Sequence, residues 1–225
     1  MTDASDRPAG TTRERLVAAA ARQFAQRSYS AVSLDDVLAE AELTKGAMYF
    51  HFPSKQALAV AIVDDLVGMS RTALAELVAR KMSGLETLIE VVCLLAVQDV
   101  EQDVARAGLR LLESLEATNT SPTTVWESWV ETFAALIRDA IAEGDITDHH
   151  DPDDIAKMIV ALWLGTRRIS GTDQPEEFLD NLRTAWVLVL PSFINPDRRD
   201  YFTEFINRRH ALAATRVAVD VTAAL

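Results

Sequence analysis

Apolar residues recur at intervals of three and four along nearly the whole chain, and no stretch alternates convincingly between apolar and polar side chains. That spacing is the signature of amphipathic helices, whereas a half-buried strand repeats every second residue. It admits a helical protein and argues against an all-β fold. Composition agrees: 225 residues carry only 8 glycines and 7 prolines, too few turn-formers for a sequence of many short strands. With 49% apolar residues the chain can bury a sizeable core, as one large domain or two modest ones.

The start, "MTDASDRPAG", is polar and acidic, so no secretory leader is expected. The longest apolar runs, such as "VVCLLAV" at 91–97, are far shorter than a bilayer span, and no membrane partner is expected. A single cysteine, Cys93, excludes an internal disulfide and fits the cytoplasm; its apolar helical setting reads as core. Charge divides unevenly. Residues 1–71 hold 8 Lys/Arg against 9 Asp/Glu, and residues 72–225 hold 14 against 25, making up the total of −12. Yet residues 7–27 carry five arginines and one acid, and residues 43–55 carry two lysines and none. The first third keeps positive patches that an acidic chain otherwise denies to nucleic acid.

Periodicity predicts helices over about 12–27, 33–41, 44–52, 55–80, 84–99, 103–117, 122–143, 152–170, 175–193 and 197–217. Leu16, Ala19, Ala20 and Phe24 share one side of the first. Ser33 caps the second, with Asp36 three residues on as a capping-box acid. "EL" at 42–43 makes a tight turn, Thr44 opens the third helix, and Pro53–Ser54 separate it from the fourth. Breaks fall at Gly84, "TNTSP", "GDITDHHDP", "SGTDQP" and "NPD". The expected organisation is 1–53 for a reading domain, 54–80 for a linking helix, and 81–225 for a larger helical domain.

Residues 33–52, "SLDDVLAEAELTKGAMYFHF", thus read as helix, turn, helix. On a wheel at 100° per residue, Lys45, Gly46 and Tyr49 cluster on one face, while Ala47 and Met48 turn toward Val37 and Ala41. Glycine inside a helix costs about 1 kcal/mol relative to alanine, so its place there calls for a reason. A missing side chain lets something bulky approach the backbone, and a phosphodiester chain or base edge fits. Lys45 can reach bases or phosphate, and Tyr49 and His51 can donate to phosphate oxygens. Thr44 and Lys55, at two helix starts, sit where free N–H groups attract anions. A packing corner between helices would show the same hydrophobic pattern, so residues alone leave both readings open.

"LTKGAMYFHFPSKQAL", preceded by "RLVAAAARQFAQRSYSAVSLDDVLAEA", closely resembles the DNA-binding domain of the tetracycline-repressor (TetR) family over roughly residues 10–60. The resemblance implies an all-α homodimer with an N-terminal three-helix helix-turn-helix domain and a larger helical ligand-binding and dimerisation domain. It places contacts to double-stranded operator DNA on Thr44, Lys45, Gly46, Tyr49, His51 and Lys55. "ARAGLRLL" at 105–112, Trp129 and "GTRRISG" at 165–171 further resemble the γ-butyrolactone autoregulator receptors of actinobacteria. That implies a repressor released by a small lipophilic signal of lactone or furan type, with Trp129 in the ligand pocket and no cofactor.

Trp126, Trp129 and Phe133 fall at i, i+3 and i+7, one stripe of an amphipathic helix. A stripe of this kind more often serves a core than a ligand wall, and the second tryptophan leaves the pocket assignment open between the two. The resemblance assigns a dimer interface to two helices carrying Ile159, Leu162, Trp163 and Thr166, then Phe178, Leu182, Trp186 and Val189; a plain buried core is the alternative. A repressor sensing a drug or other lipophile, beside an efflux or metabolic gene, fits the same pattern. The rival from another class is a metal-dependent enzyme using His149 and His150 in "DHHDPDD". Adjacent histidines point to different sides of most backbones, and no phosphate loop, nucleophile elbow or Cys–His pairing accompanies them. The expected protein is not an enzyme.

Overall fold

The computed structural model describes residues 11–116, 123–170 and 174–223. Among these residues ten α-helices form and no strand does; a lone antiparallel bridge joins Ile146 to Ile194. The helices are α1 (Thr12–Gln26), α2 (Leu34–Ala41), α3 (Lys45–His51), α4 (Lys55–Val78), α5 (Gly84–Glu101), α6 (Asp103–Glu116), α7 (Thr123–Ala142), α8 (Pro152–Ser170), α9 (Pro175–Val189) and α10 (Arg199–Ala223). The all-helical expectation therefore holds element by element. The predicted break "TNTSP" and part of "SGTDQP" lie outside the described residues.

Local chemistry explains the first three helices. Thr11 and Glu14 close a capping box at the start of α1. At α2, the Asp36 N–H donates to Ser33 Oγ and the Ser33 N–H donates to Asp36 Oδ2, both at 3.0 Å. These reciprocal bonds hold the Asp36 carboxyl below its usual range and satisfy two of the donors that every helix start leaves open. Glu42 ends α2 in the left-handed region at φ 53°, which turns the chain sharply into α3.

The described chain divides into two compact units. The first contains α1–α3, α4 as far as Gly68, and α6. Its core is Leu16, Ala19, Ala20 and Phe24 of α1 with Val37, Met48, Leu58 and Ile62. The expected boundaries of 1–53, 54–80 and 81–225 differ from this division. Helix α6 packs along α1 rather than with the larger set, burying Ala105, Leu109 and Leu112. The second unit contains the rest of α4, α5 and α7–α10, with α7 set between α5 and α8. Close approach governs its start: a side chain added at Gly84 would place Cβ 2.3 Å from the Leu136 carbonyl oxygen and 2.7 Å from the Ala140 nitrogen.

Candidate nucleic-acid interface and ligand site

Helix α3 is anchored by one side only. Met48 is fully buried against the first unit's core, and Thr44 caps the helix by accepting the Ala47 N–H at 3.3 Å. The opposite side is bare. Gly46 is exposed, and a Cβ built there meets nothing nearer than its neighbour Thr44 Oγ1 at 3.9 Å. No packing contact within the unit therefore requires a glycine. Tyr49 is 55% exposed and Phe50 84% exposed. His51 stands edge-on to Phe50, ring centroids 5.1 Å apart. Phe50 escaped the sequence reading; the signal was available, since Phe50 lies four residues after Gly46 and so falls on the same side.

Lys45 is exposed and reaches back to α2, its Nζ 2.8 Å from Asp35 Oδ1. The hydrogen bond and charge of Asp35 raise its pKa, keeping it a firm cation. Both members of this pair lie in solvent, so it opens at little cost when a stronger anion arrives.

Lys55 is placed otherwise than expected. Its ammonium turns inward, donating to the carbonyls of Tyr29 at 2.6 Å and Val32 at 2.8 Å and lying over the Tyr29 ring at 4.3 Å. Burial lowers its pKa. A lysine so committed ties the α1–α2 loop to the start of α4. The arginines of α1 and its C-terminal cap are largely committed as well. Arg15 donates to the Ala41 carbonyl, Arg22 pairs with Glu40, and Arg27 pairs with Asp36. The positive patch expected over 7–27 is therefore partly neutralised by α2, and Arg7 lies outside the described residues.

In the second unit the aromatic stripe of α7 faces α8. Trp129 and Phe133 are buried, and Trp126 is half-buried and edge-on to Trp129 at 5.3 Å. Trp129 also lies 5.4 Å from the ring of Trp163. The Trp163 indole N–H is buried and has no hydrogen-bond partner among the described residues. One turn along α8, the Arg167 guanidinium meets Asp99 of α5 at 2.6 Å, both side chains shut away from water.

Five of the eight residues expected at a dimer interface are core within this single chain. Ile159, Trp163, Phe178, Leu182 and Trp186 are each no more than 2% exposed. Such residues have no surface left to offer a partner. Leu162, Thr166 and Val189 remain half-buried, and Ile169 of α8 and Leu188 of α9 are exposed apolar residues on those helices. Of the two histidines, His149 is exposed beside Asp148 and His150 approaches the Ser192 carbonyl at 3.1 Å. Among the described residues no group of three or more His, Cys, Asp or Glu could hold a metal, and no helix is long and apolar enough to cross a membrane.

A bare-faced short helix held by a capped helix and a tight turn is the geometry of a helix-turn-helix module. Residues 16–62 match the model of "Bacterial regulatory proteins, tetR family", and residues 82–195 match "Tetracyclin repressor-like, C-terminal domain". The chain belongs to the tetR family and is a helix-turn-helix transcriptional regulator. It is 31% identical over 182 residues to the A-factor receptor protein of Streptomyces griseus, a match covering 80% of this chain and 63% of that protein. In structure it is similar to a γ-butyrolactone receptor (ArpA-like protein), with 28% identity, TM-score 0.76, and 89% and 97% of the two chains covered. It is also similar to CprB from Streptomyces coelicolor in complex with its biological operator sequence, with 30% identity, TM-score 0.77, and 89% and 96% covered.

Proposed function

We propose that this chain represses transcription as a homodimer on operator DNA and releases it when a small lipophilic signal, of γ-butyrolactone type, enters the second unit. The observation that carries the DNA half is the unpacked face of α3. Gly46 lets a backbone or base edge come close, Lys45 exchanges Asp35 for phosphate or a base, and Tyr49 and His51 donate to phosphate oxygens. Phe50 supplies an apolar surface for sugars or a thymine methyl. Contacts of this mixture position a protein and read a few bases. Lys55 contributes indirectly, by holding the loop behind the reading helix.

The ligand half rests on the aromatic group of α7 and α8. Trp129 and Phe133 offer the apolar wall that an alkyl-bearing lactone needs, with Trp126 at its edge. An unpaired buried N–H costs about 1–3 kcal/mol, and a lactone carbonyl beside Trp163 would remove that cost. The CprB operator complex and the receptor relatives support the same reading.

The homodimer is supported by Ile169 and Leu188, apolar residues left exposed on α8 and α9, with Leu162, Thr166 and Val189 alongside. A two-fold pair presents two reading helices to a near-palindromic site. The direct test is to titrate operator-bound protein with synthetic γ-butyrolactones. Allosteric coupling of about 1–3 kcal/mol weakens DNA binding roughly 5–150-fold. Demonstrated ligand binding with unchanged operator affinity rejects the switch. Light scattering on Leu188→Glu, expected to give monomers, checks the dimer.

A further inference from the structure

We propose that the second unit carries a separate site for a small amphipathic monoanion, a carboxylate with a short alkyl tail, where the end of α4 meets α5 and α10. A cavity of about 170 Å³ opens there. At about 30 Å³ per water, that is the volume of roughly six water molecules, suited to a compact ligand. None of its lining residues belongs to the aromatic group around Trp129.

Charge points to an anion. Three arginines line the cavity, Arg80, Arg209 and Arg216, against one acid, Glu90. Arg216 is already engaged, gripping Glu101 in two bonds at 2.8 and 2.6 Å. Arg209 Nε lies 2.6 Å from Glu90 Oε1, and Glu90 is buried, so that pair is neutral within itself. Arg80 is left over: its guanidinium makes no hydrogen bond or ion pair among the described residues. The cavity therefore holds a surplus of one positive charge. This surplus stands in a region, residues 72–225, that counts 14 basic side chains against 25 acidic ones. A basic recess in an acidic unit concentrates anions and excludes cations.

The rest of the wall points to an alkyl tail. Leu77, Leu94 and Val97 supply apolar surface, and Leu212 on α10 lines the same cavity while 58% exposed. An apolar side chain held in water beside a cationic recess gains burial when a tail lies across it. Cys93 contributes wall and not chemistry: burial pushes its thiol up to about 12, so almost no thiolate forms at neutral pH. The geometry fits a head group on Arg80, with a second donor from Arg209, and a tail against Leu94 and Leu212.

The test is a titration of the full chain, ¹⁵N-labelled, with hexanoate, following the arginine Nε–H signals by NMR. Acetate, inorganic phosphate and hexylammonium serve as comparison probes. Saturable shifts confined to Arg80 and Arg209 are expected, with acetate and phosphate each about tenfold weaker and hexylammonium without effect. Arg80→Gln, at an exposed position beyond the end of α4, removes a charge-assisted bond and weakens hexanoate about tenfold or more. Leu212→Glu, also on the surface, does the same by charge repulsion. Hexanoate shifts at Arg80 and Arg209 are expected with or without an excess of a γ-butyrolactone, so failure here is distinct from failure of lactone sensing. Shifts that do not saturate, shifts equally large at the exposed Arg208, phosphate binding as tight as hexanoate, or an Arg80→Gln variant that binds normally would overturn the proposal.

Discussion

Aromatic side chains serve two opposite ends in this molecule. Helix α3 holds Tyr49 and Phe50 out in water, while α7 and α8 fold Trp129, Phe133 and Trp163 almost completely away from it. The buried set lowers the free energy of the fold, since large apolar side chains gain most when fully removed from water. The exposed set gains no such burial in the free protein, and under the proposed function its surface is kept for DNA. The same contrast divides two glycines. Gly84 has backbone where its side chain would be, and Gly46 has open space.

Substitutions at the two ends should separate sharply. Trp163→Ala is expected to destabilise by about 3–5 kcal/mol in urea unfolding, because it opens a cavity in a packed interior. Phe50→Ala should stay within about 0.5 kcal/mol of the parent. A large loss for Phe50→Ala would mean that α3's outer face packs against protein after all. Gly84→Ala comes next, at about 1–3 kcal/mol, because a carbonyl and a backbone nitrogen of α7 must both shift. Thermal unfolding measures it; no loss would place α5 farther from α7 than described.

Lys45→Ala acts on binding rather than folding. If Lys45 meets phosphate, affinity for all duplexes falls together and the slope of log affinity against log salt flattens by about one unit. If it reads a base, one operator position loses its preference, at about 1–3 kcal/mol. Salt-titrated anisotropy on operator variants distinguishes the two, and an unchanged slope with unchanged preference removes Lys45 from the interface.

How much of this was legible in the sequence depends on the range of the interaction. Ser33, Asp36 and Thr44 announce their caps because each bonds within three residues of itself, so spacing suffices. The inward turn of Lys55 was not legible because its acceptors lie 26 and 23 residues away, and only the folded loop brings the Tyr29 and Val32 carbonyls to it. The stripes on α8 and α9 declared that one face of each helix is buried. They could not declare by what, and Trp163 and Trp186 proved to be covered by their own chain. Phe50 went unnoticed because an apolar residue among apolar neighbours reads as core, although its wheel position beside Gly46 pointed outward.

The smallest expected effect is a pH dependence at His210. Burial lowers its pKa below the ordinary 6.5, and nearby Asp180, 3.0 Å away, opposes that only in part. The folded state thus favours the neutral ring. Its contribution is fully present above pH 6.5 and fades as pH falls from there through the depressed folded value. The urea midpoint of the parent should drop more between pH 7.5 and pH 5 than that of His210→Gln, and equal drops would exclude the effect.

One measurement bears most directly on the bare face of α3: stability and DNA affinity of Gly46→Ala, determined on the same preparation. The added methyl meets no packed neighbour, and alanine suits a helix better, so unfolding should become harder by up to about 1 kcal/mol. Binding to the DNA upstream of its own gene at low salt should weaken, because the methyl stands where the proposed interface brings a duplex. A gain in stability with undiminished DNA affinity would contradict the account, and so would a loss of stability.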